Sequence, residues 1–292
     1  MEFQTDDFVR WACLREVSRL ARQAGLPRER WSEDPIMRNY RFCNVSREDD
    51  RVTGVVRELI RDPMSKAGAP AVEICKAVAV ARFFNLPGSL LELREKEAIT
   101  ETKCDLEAVF YVMTDRAIRG DNCFNTAYVV GCPPGQLVKP WLGIPGKIAY
   151  VCSIVKRATD GGYFNYEAPS RQAFVENLRE AAGFKDFMAG QVAADLYYTT
   201  VGNSWKDHMT WAPMGPGAIR GINRCMGRPV EAPMDQKTYL EMGTKALEML
   251  PPHMVADRGL TLHDVNSNVF CETDKYLRIK ENPHRRVGRR FT

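Results

Sequence analysis

Residues 170–228 read SRQAFVENLREAAGFKDFMAGQVAADLYYTTVGNSWKDHMTWAPMGPGAIRGINRCMGR. Ser170 is of the residue type that caps a helix N-terminus, its hydroxyl accepting from a free amide of the first turn. Phe174, Val175, Leu178, Ala181 and Ala182 then recur at helical spacing. Gly183 can take the left-handed conformation that ends a helix. A second helix starts after Lys185, with Phe187, Met188, Gln191, Val192, Ala194 and Asp195 along its faces. The stretch therefore predicts helix, tight glycine turn, helix. An ordinary antiparallel helix pair has this pattern. So does a hairpin that aims backbone amides at a phosphate. Beyond it, Asp207 and His208 lie in a loop bracketed by tryptophans, and Gly215–Gly221 (GPGAIRG) opens another short helix.

The hairpin, the Asp-containing loop and the Gly-rich helix start together resemble the layout of helix-hairpin-helix DNA glycosylases. In those enzymes a catalytic Asp sits near the start of the segment placed here at 215–221. Glycines and a proline occupy it in this chain, which argues against base excision and for the DNA-binding scaffold alone.

The rest of the chain fits a mainly α protein. A length of 292 residues can bury a sizeable core, and 45% hydrophobic with 27% charged residues is ordinary for a globular chain. The net charge is only +4, so nucleic-acid binding has to be read from local clusters. Arg38, Arg41, Arg47, Arg51 and Arg57 form one, and Arg285, Arg286, Arg289 and Arg290 form another. A solvated basic surface is the plainer reading of either. Nine cysteines without C-x-x-C spacing and four histidines give no zinc signature, so no metal is expected. The N-terminus lacks the pattern of a signal peptide, and no apolar run reaches membrane-spanning length. Free thiols, a reducing cytoplasm and no membrane contact are expected.

Taken in order, residues 5–24 predict an amphipathic helix with Phe8, Trp11, Leu14, Val17 and Ala21 on one stripe. Residues 25–37 predict a polar linker. Ser46 and Asp49 have capping-box spacing ahead of a helix buried through Val52, Val55, Val56, Leu59 and Ile60. Residues 69–84 are apolar nearly all round, which marks a central helix. Further helices are expected at 88–96, 100–119, 144–156, 235–250 and 261–279, with strand fragments or loop between 120 and 143. The expected organisation is an N-terminal helix and linker (1–35), a helical catalytic domain in one or two lobes (36–280), and a basic flexible tail (281–292).

Three kinds of chemistry are open. Arg38, Arg41, Asn44, Arg47 and Arg51, interleaved with Tyr40 and Phe42, suit phosphate binding and base stacking. Gly183, Lys185 and Arg220 extend the candidate phosphate contacts. Asp207, Glu272 and Asp195 are candidate general bases, and Lys275, which shares a helix face with Glu272, can stabilise a leaving phosphate. A surface Glu–Lys ion pair is the commoner use of that spacing. Cys43 or Cys271 can add to C6 of a pyrimidine, although most buried cysteines only pack. No glycine loop ends in Gly-Lys-Ser/Thr, which argues against a P-loop kinase.

Several motifs in order resemble the phage amino acid:DNA transferases, also called α-glutamyl/putrescinyl thymine pyrophosphorylases. They are Tyr40-Arg41-Phe42-x-Asn44-Val45 with Arg47-Glu48-x-Asp50-Arg51, Arg82-Phe83-Phe84-Asn85, Phe124-Asn125-x-Ala127-Tyr128, and Gln191-Val192-Ala193-x-Asp195-Leu196-x-Tyr198. Gly215-Pro216-Gly217-Ala218-x-Arg220-Gly221 and Cys271-Glu272-x-x-Lys275-Tyr276 complete the set. The same helical domain accompanies phage 5-hydroxymethyluracil DNA kinases. The resemblance implies a cofactor-free transferase acting on double-stranded DNA that carries phosphorylated 5-hydroxymethyluracil. A separate DNA kinase supplies the phosphate, and a free amino acid, glycine favoured, displaces phosphate or pyrophosphate. The product is a hypermodified thymidine that evades host restriction. Asp207, Glu272, Lys275 and Asp195 would then be catalytic, and Tyr40, Phe42, Asn125, Tyr128 and Trp211 would line the pocket of a flipped base. A glycosylase-like excision enzyme and a non-catalytic DNA-binding module are the alternatives.

Overall fold

The computed structural model describes residues 6–125, 143–282 and 290–291. Every regular element in them is helical, and the fold is mainly α as expected. Two isolated bridges, Tyr40 with Arg290 and Ile99 with Cys104, are the β-type pairings among the described residues. In chain order the helices begin with α1 (Asp6–Gln23), α2 (Pro35–Asn39), α3 (Arg51–Val56), α4 (Asp62–Lys66), α5 (Ala71–Phe84), α6 (Pro87–Glu95) and α7 (Leu106–Ile118). They continue with α8 (Gly143–Asp160), α9 (Arg171–Arg179), α10 (Asp186–Leu196), α11 (Pro216–Cys225), α12 (Gln236–Met249), α13 (Pro252–Arg258) and α14 (Phe270–Glu281). A π-helical turn, Arg57–Arg61, joins α3 to α4, and a second, Asp264–Val269, leads into α14. The strand fragments expected between 126 and 142 lie outside the described residues.

The chain divides into two compact units, Met1–Asp50 with His208–Thr292, and Arg51–Asp207. In the first, α1 contributes Phe8, Trp11 and Ala12 to a core shared with Ile222, Tyr239, Leu262, Val269 and Phe270. The buried stripe of α1 differs from the expected one. Val17 is 55% exposed, whereas Arg15, Ser18 and Arg19 are buried. The core-facing line runs through residues 8, 11, 15 and 18, and a charged residue on it hides it from a reading that follows hydrophobicity alone.

In the same unit α11 crosses α14 at very close range. A Cβ on Gly221 would lie 2.1 Å from the Phe270 carbonyl oxygen, and one on Gly217 would lie 2.5 Å from Cys271 Sγ. The glycines of GPGAIRG thus let two helices touch, rather than opening a loop for phosphate. Beside this crossing, Asp274 is fully buried and pairs with Arg224 at 2.9 Å, Arg278 at 3.2 Å and Arg220 at 3.3 Å. The capping box expected at Ser46 is absent. Residues Arg47–Asp49 form a 3-10 turn without a side-chain cap, and Asp49 is drawn instead into ion pairs with Arg258 and Arg19. Pro252 begins α13 instead of only ending the helix before it, since a proline costs nothing at the first helical position.

In the second unit α5 is buried on almost every side and packs against α8 and α10. The hairpin forms as the sequence implies. Ser170 Oγ accepts from the Ala173 amide at 3.1 Å. Asp207 caps the same helix end, its two oxygens accepting from the amides of Arg171 at 3.0 Å and Gln172 at 2.9 Å. Gly183 has φ +97°, and a Cβ there would meet Ile154 of α8 at 2.9 Å, so both conformation and space demand glycine. Across the unit, Arg82 of α5 pairs with Asp195 of α10, and its guanidinium also donates to Thr53 Oγ1 at 3.1 Å and Asn85 Oδ1 at 3.3 Å. Both partners are almost wholly buried. Removing one leaves a buried charge uncompensated, which costs about 3–5 kcal/mol, whereas an apolar pair of similar volume is far better tolerated. Asp195→Ala should therefore lower the urea midpoint strongly, and the double variant Arg82→Met/Asp195→Leu should recover most of the loss.

Candidate functional site

The first unit holds a cluster of polar side chains around the irregular segment 40–50. Arg15 of α1 organises it. Its Nε donates to the Cys43 carbonyl at 2.9 Å, and its Nη2 donates to the Phe42 carbonyl at 3.4 Å and to Asn44 Oδ1. Asn44 is then held on three further sides. Its amide donates to Asp50 Oδ1 at 2.7 Å, its Nδ2 donates to the Asp49 carbonyl at 2.7 Å, and its carbonyl accepts from Asn268 Nδ2 at 3.3 Å. The Arg47 amide donates to Asp264 Oδ1 at 2.8 Å, and the other Asp264 oxygen accepts from Thr261. The π-helical turn 264–269 is what brings Asp264 and Asn268 onto this segment, and such turns concentrate at functional sites.

Lys275 reaches the segment from α14. Its Nζ donates to the Arg41 carbonyl at 2.5 Å and to Glu272 Oε2 at 3.0 Å, and it lies 4.7 Å from the Phe42 ring centroid. Phe42 also meets Trp11 and Tyr276, and the Tyr276 hydroxyl donates to Asp34 Oδ2 at 2.6 Å. Asp50 is the group most altered by these surroundings. Burial raises its carboxyl to about 7 against the opposing pull of the Asn44 amide and Arg15, and nearby Glu272 pushes the same way as burial. A carboxyl titrating near neutrality can take a proton from a hydroxyl.

The expected site residues separate between the two units. Tyr40, Arg41, Phe42, Asn44, Arg47, Glu272 and Lys275 come together in the first, with Arg38 beside them. Trp211 is buried in that unit, and Arg220 is held by Asp274. Arg51, Asn125, Gly183, Lys185, Asp195 and Asp207 belong to the second unit. There Asp195 is sealed against Arg82, Asp207 caps α9, and the Asn125 amide donates to the Phe84 carbonyl at 2.9 Å. Lys185 and Arg51 are exposed. Tyr128 lies outside the described residues. Burial, with Glu272 and Asp274 close by, raises the Cys271 thiol to about 11, which works against a thiolate nucleophile. Arg15, Asp50, Asp264 and Asn268 were not singled out by the sequence reading. Among the described residues no group of His, Cys, Asp and Glu is placed to hold a metal, and no helix is long and apolar enough to cross a membrane.

The chain is a mainly α helical bundle with a capped helix hairpin, and its family match places it among helical domains of DNA-modifying enzymes. Residues 2–286 match the model of one family, the helical domain of 5-hmdU DNA kinase, and the chain belongs to that family. No curated protein matches, nor does any solved structure. The family corrects the resemblance to amino acid:DNA transferases. The matched family is a domain of a DNA kinase, an enzyme of phosphorylation, and not of an amino-acid transferase that displaces phosphate. The expected free amino acid drops out as a partner, and so does the separate kinase, because this chain itself matches the kinase domain.

The raised Asp50 carboxyl makes stability depend on pH with a defined sign. The unfolded group titrates near 3.8 and the folded one near 7, so the folded chain holds the extra proton between those values. Stability therefore falls as pH rises across that window, and the penalty is complete above it. Asp50→Asn keeps an acceptor for the Asn44 amide and never ionises. The variant should melt higher than the wild type at about pH 8 and together with it at about pH 4, as followed by circular dichroism.

Proposed function

We propose that this chain phosphorylates the 5-hydroxymethyl group of 5-hydroxymethyluracil in DNA, with the segment 40–50 receiving the base and Asp50 accepting the hydroxyl proton. The observation that carries the reading is the Asp50 cluster, in a chain that belongs to a 5-hmdU DNA kinase family. The target base has to leave the duplex stack for its C5 substituent to be reached. The half-buried Phe42 ring offers a face for it, and the same short segment is bonded by Asp50 at the Asn44 amide and by Lys275 at the Arg41 carbonyl. In the step itself the hydroxyl oxygen bonds to the terminal phosphorus of a nucleoside triphosphate, and the bond to the bridging oxygen breaks. The nucleoside diphosphate leaves, and the proton passes to the Asp50 carboxylate. Lys275, an ammonium within the cluster, offsets charge on the transferring group. In the second unit, the exposed Lys185 beside Gly183 in the hairpin turn and the exposed Arg51 serve phosphates of the DNA backbone. The chain has no Gly-Lys-Ser/Thr phosphate loop, so this reading concerns the acceptor side of the reaction.

The test uses two duplexes of one sequence, with thymine or 5-hydroxymethyluracil at the same positions, and labelled ATP. Label should reach only the hydroxymethylated duplex, and nucleoside mass spectrometry should find the phosphomonoester. Transfer should rise with pH through about 7. Asp50→Asn should lose about a hundredfold in rate and keep its affinity for the duplex. Equal transfer by Asp50→Asn and wild type would remove Asp50 from this role, and absence of any phosphomonoester would sink the reading.

A further inference from the structure

One group of arginines in the first unit lacks carboxylate partners. Among the described residues Arg22, Arg28, Arg38 and Arg41 form no ion pair, although acidic residues neutralise Arg19, Arg220, Arg224, Arg258 and Arg278 in the same unit. Three of the four surround a single aromatic ring. The guanidinium carbons of Arg22, Arg28 and Arg41 lie 5.2, 5.5 and 5.5 Å from the centroid of Phe291. Trp31 meets the same ring edge-on at 5.3 Å and carries Arg22 over its own face at 5.0 Å. Backbone contacts seat the phenylalanine. Its amide donates to the Asn39 carbonyl at 2.9 Å, and its carbonyl accepts from Arg28 at 3.2 Å. Its neighbour Arg290 donates to the Tyr40 hydroxyl at 2.9 Å.

Two details mark this as a site with an occupant. The cavity walled in part by Arg15, Arg22, Trp31, Phe42 and Phe291 measures about 10 Å³, the space of one water, so no ligand enters while the phenyl ring is in place. Positive charge also accumulates there. Burial and then the neighbouring Arg41 hold Arg22 below the usual arginine range. A planar ring between guanidiniums satisfies cation–π contacts but supplies no counter-charge. A nucleotide supplies both, a planar base for the ring's place and phosphate for the unpaired guanidiniums.

We propose that Arg22, Arg28, Arg41 and Trp31 form a nucleotide-binding site, and that Phe291 occupies the place of the base in the free protein. The ligand is a base carrying phosphate, either an unstacked nucleotide of DNA or a free nucleoside triphosphate. Arg15 and Phe42 line both this cavity and the Asp50 cluster, so the site adjoins the one assigned above. The proposal does not require that assignment to be correct, because its probes carry no hydroxymethyluracil.

Binding of ATP and of a short single-stranded oligothymidylate to the full chain decides between the two sources. Removing the occupant with Phe291→Ala should tighten one of the two probes by about tenfold, the scale of one base-stacking contact. Phe291→Tyr keeps a ring in place and should leave both affinities unchanged. In the Phe291→Ala background, Arg22→Glu or Arg41→Glu should abolish the gain, and higher salt should reduce it. Gain for ATP alone identifies the triphosphate, and gain for the oligonucleotide alone identifies DNA. If Phe291→Ala melts with the wild type and tightens neither probe, the ring is a structural plug and the proposal falls. If that variant unfolds, Arg22→Glu and Arg41→Glu in the wild-type background take over the test. Unchanged binding of both probes by both of these variants overturns the site.

Discussion

The first unit depends on how the backbone of residues 42–50 is kept hydrogen-bonded. The segment runs against the core with only a 3-10 turn of regular structure, and each buried carbonyl or amide without a partner carries a desolvation cost. Arg15 meets most of that demand from one guanidinium, serving Phe42, Cys43 and Asn44 together. Asn44 passes the arrangement on to Asp49 and Asp50, while Asp264 and Asn268 close it from the π-helical turn. No helix could present Phe42, Asn44 and Asp50 together in this way. The polar network is the means by which an irregular loop acquires a fixed shape inside a helical protein.

This account explains why Asp50 is out of balance. It receives one backbone amide and the nearby charge of Arg15, yet the same crowding that fixes the loop strips water from its carboxyl and sets Glu272 close by. A surface aspartate would take neither penalty. The stability lost by burying a carboxylate at neutral pH is the cost of holding a proton acceptor near pH 7. Its opposite is Asp195, which meets a bidentate guanidinium within the core of the other unit. The two carboxylates differ because Asp195 is bonded directly by its guanidinium, whereas Arg15 spends its hydrogen bonds on Phe42, Cys43 and Asn44 and reaches Asp50 only through its charge.

The helices were legible wherever periodicity and caps agreed. Ser170, Gly183 and the apolar run of 71–84 announced their elements, and the structure places those elements within a few residues of the sequence reading. Errors arose where one residue type had two uses. Gly217 and Gly221 read only as part of a helix start but serve a helix crossing, and Ser46 with Asp49 mimics a capping box while Asp49 pairs with distant arginines. Arg15 was hidden because a charged residue on a buried stripe reads as a break in that stripe, although its spacing from Phe8, Trp11 and Ser18 was available. Asp50 lay inside a quoted motif, but only tertiary contacts reveal its altered titration. The family was missed for a different reason. The quoted motifs place polar and aromatic residues but contain no group that tells adding a phosphate from displacing one.

A net charge of +4 gives little hint of how the charge is arranged. In the first unit the acids are spent inward. Asp274 binds three arginines, Glu16 and Asp49 engage Arg19 and Arg258, and Asp264 serves backbone and threonine donors. None of these acids reaches the segment 22–41, and its arginines remain uncompensated even where they crowd one another. Mutual repulsion among them opposes folding and is tolerated because aromatic rings and backbone carbonyls offset part of it. A chain selected for stability alone would place an acid there, since one carboxylate among four guanidiniums would relieve the repulsion. The missing counter-charge, together with the crowding of these guanidiniums around one aromatic ring, is therefore the sign that an anion from outside the chain belongs at this surface.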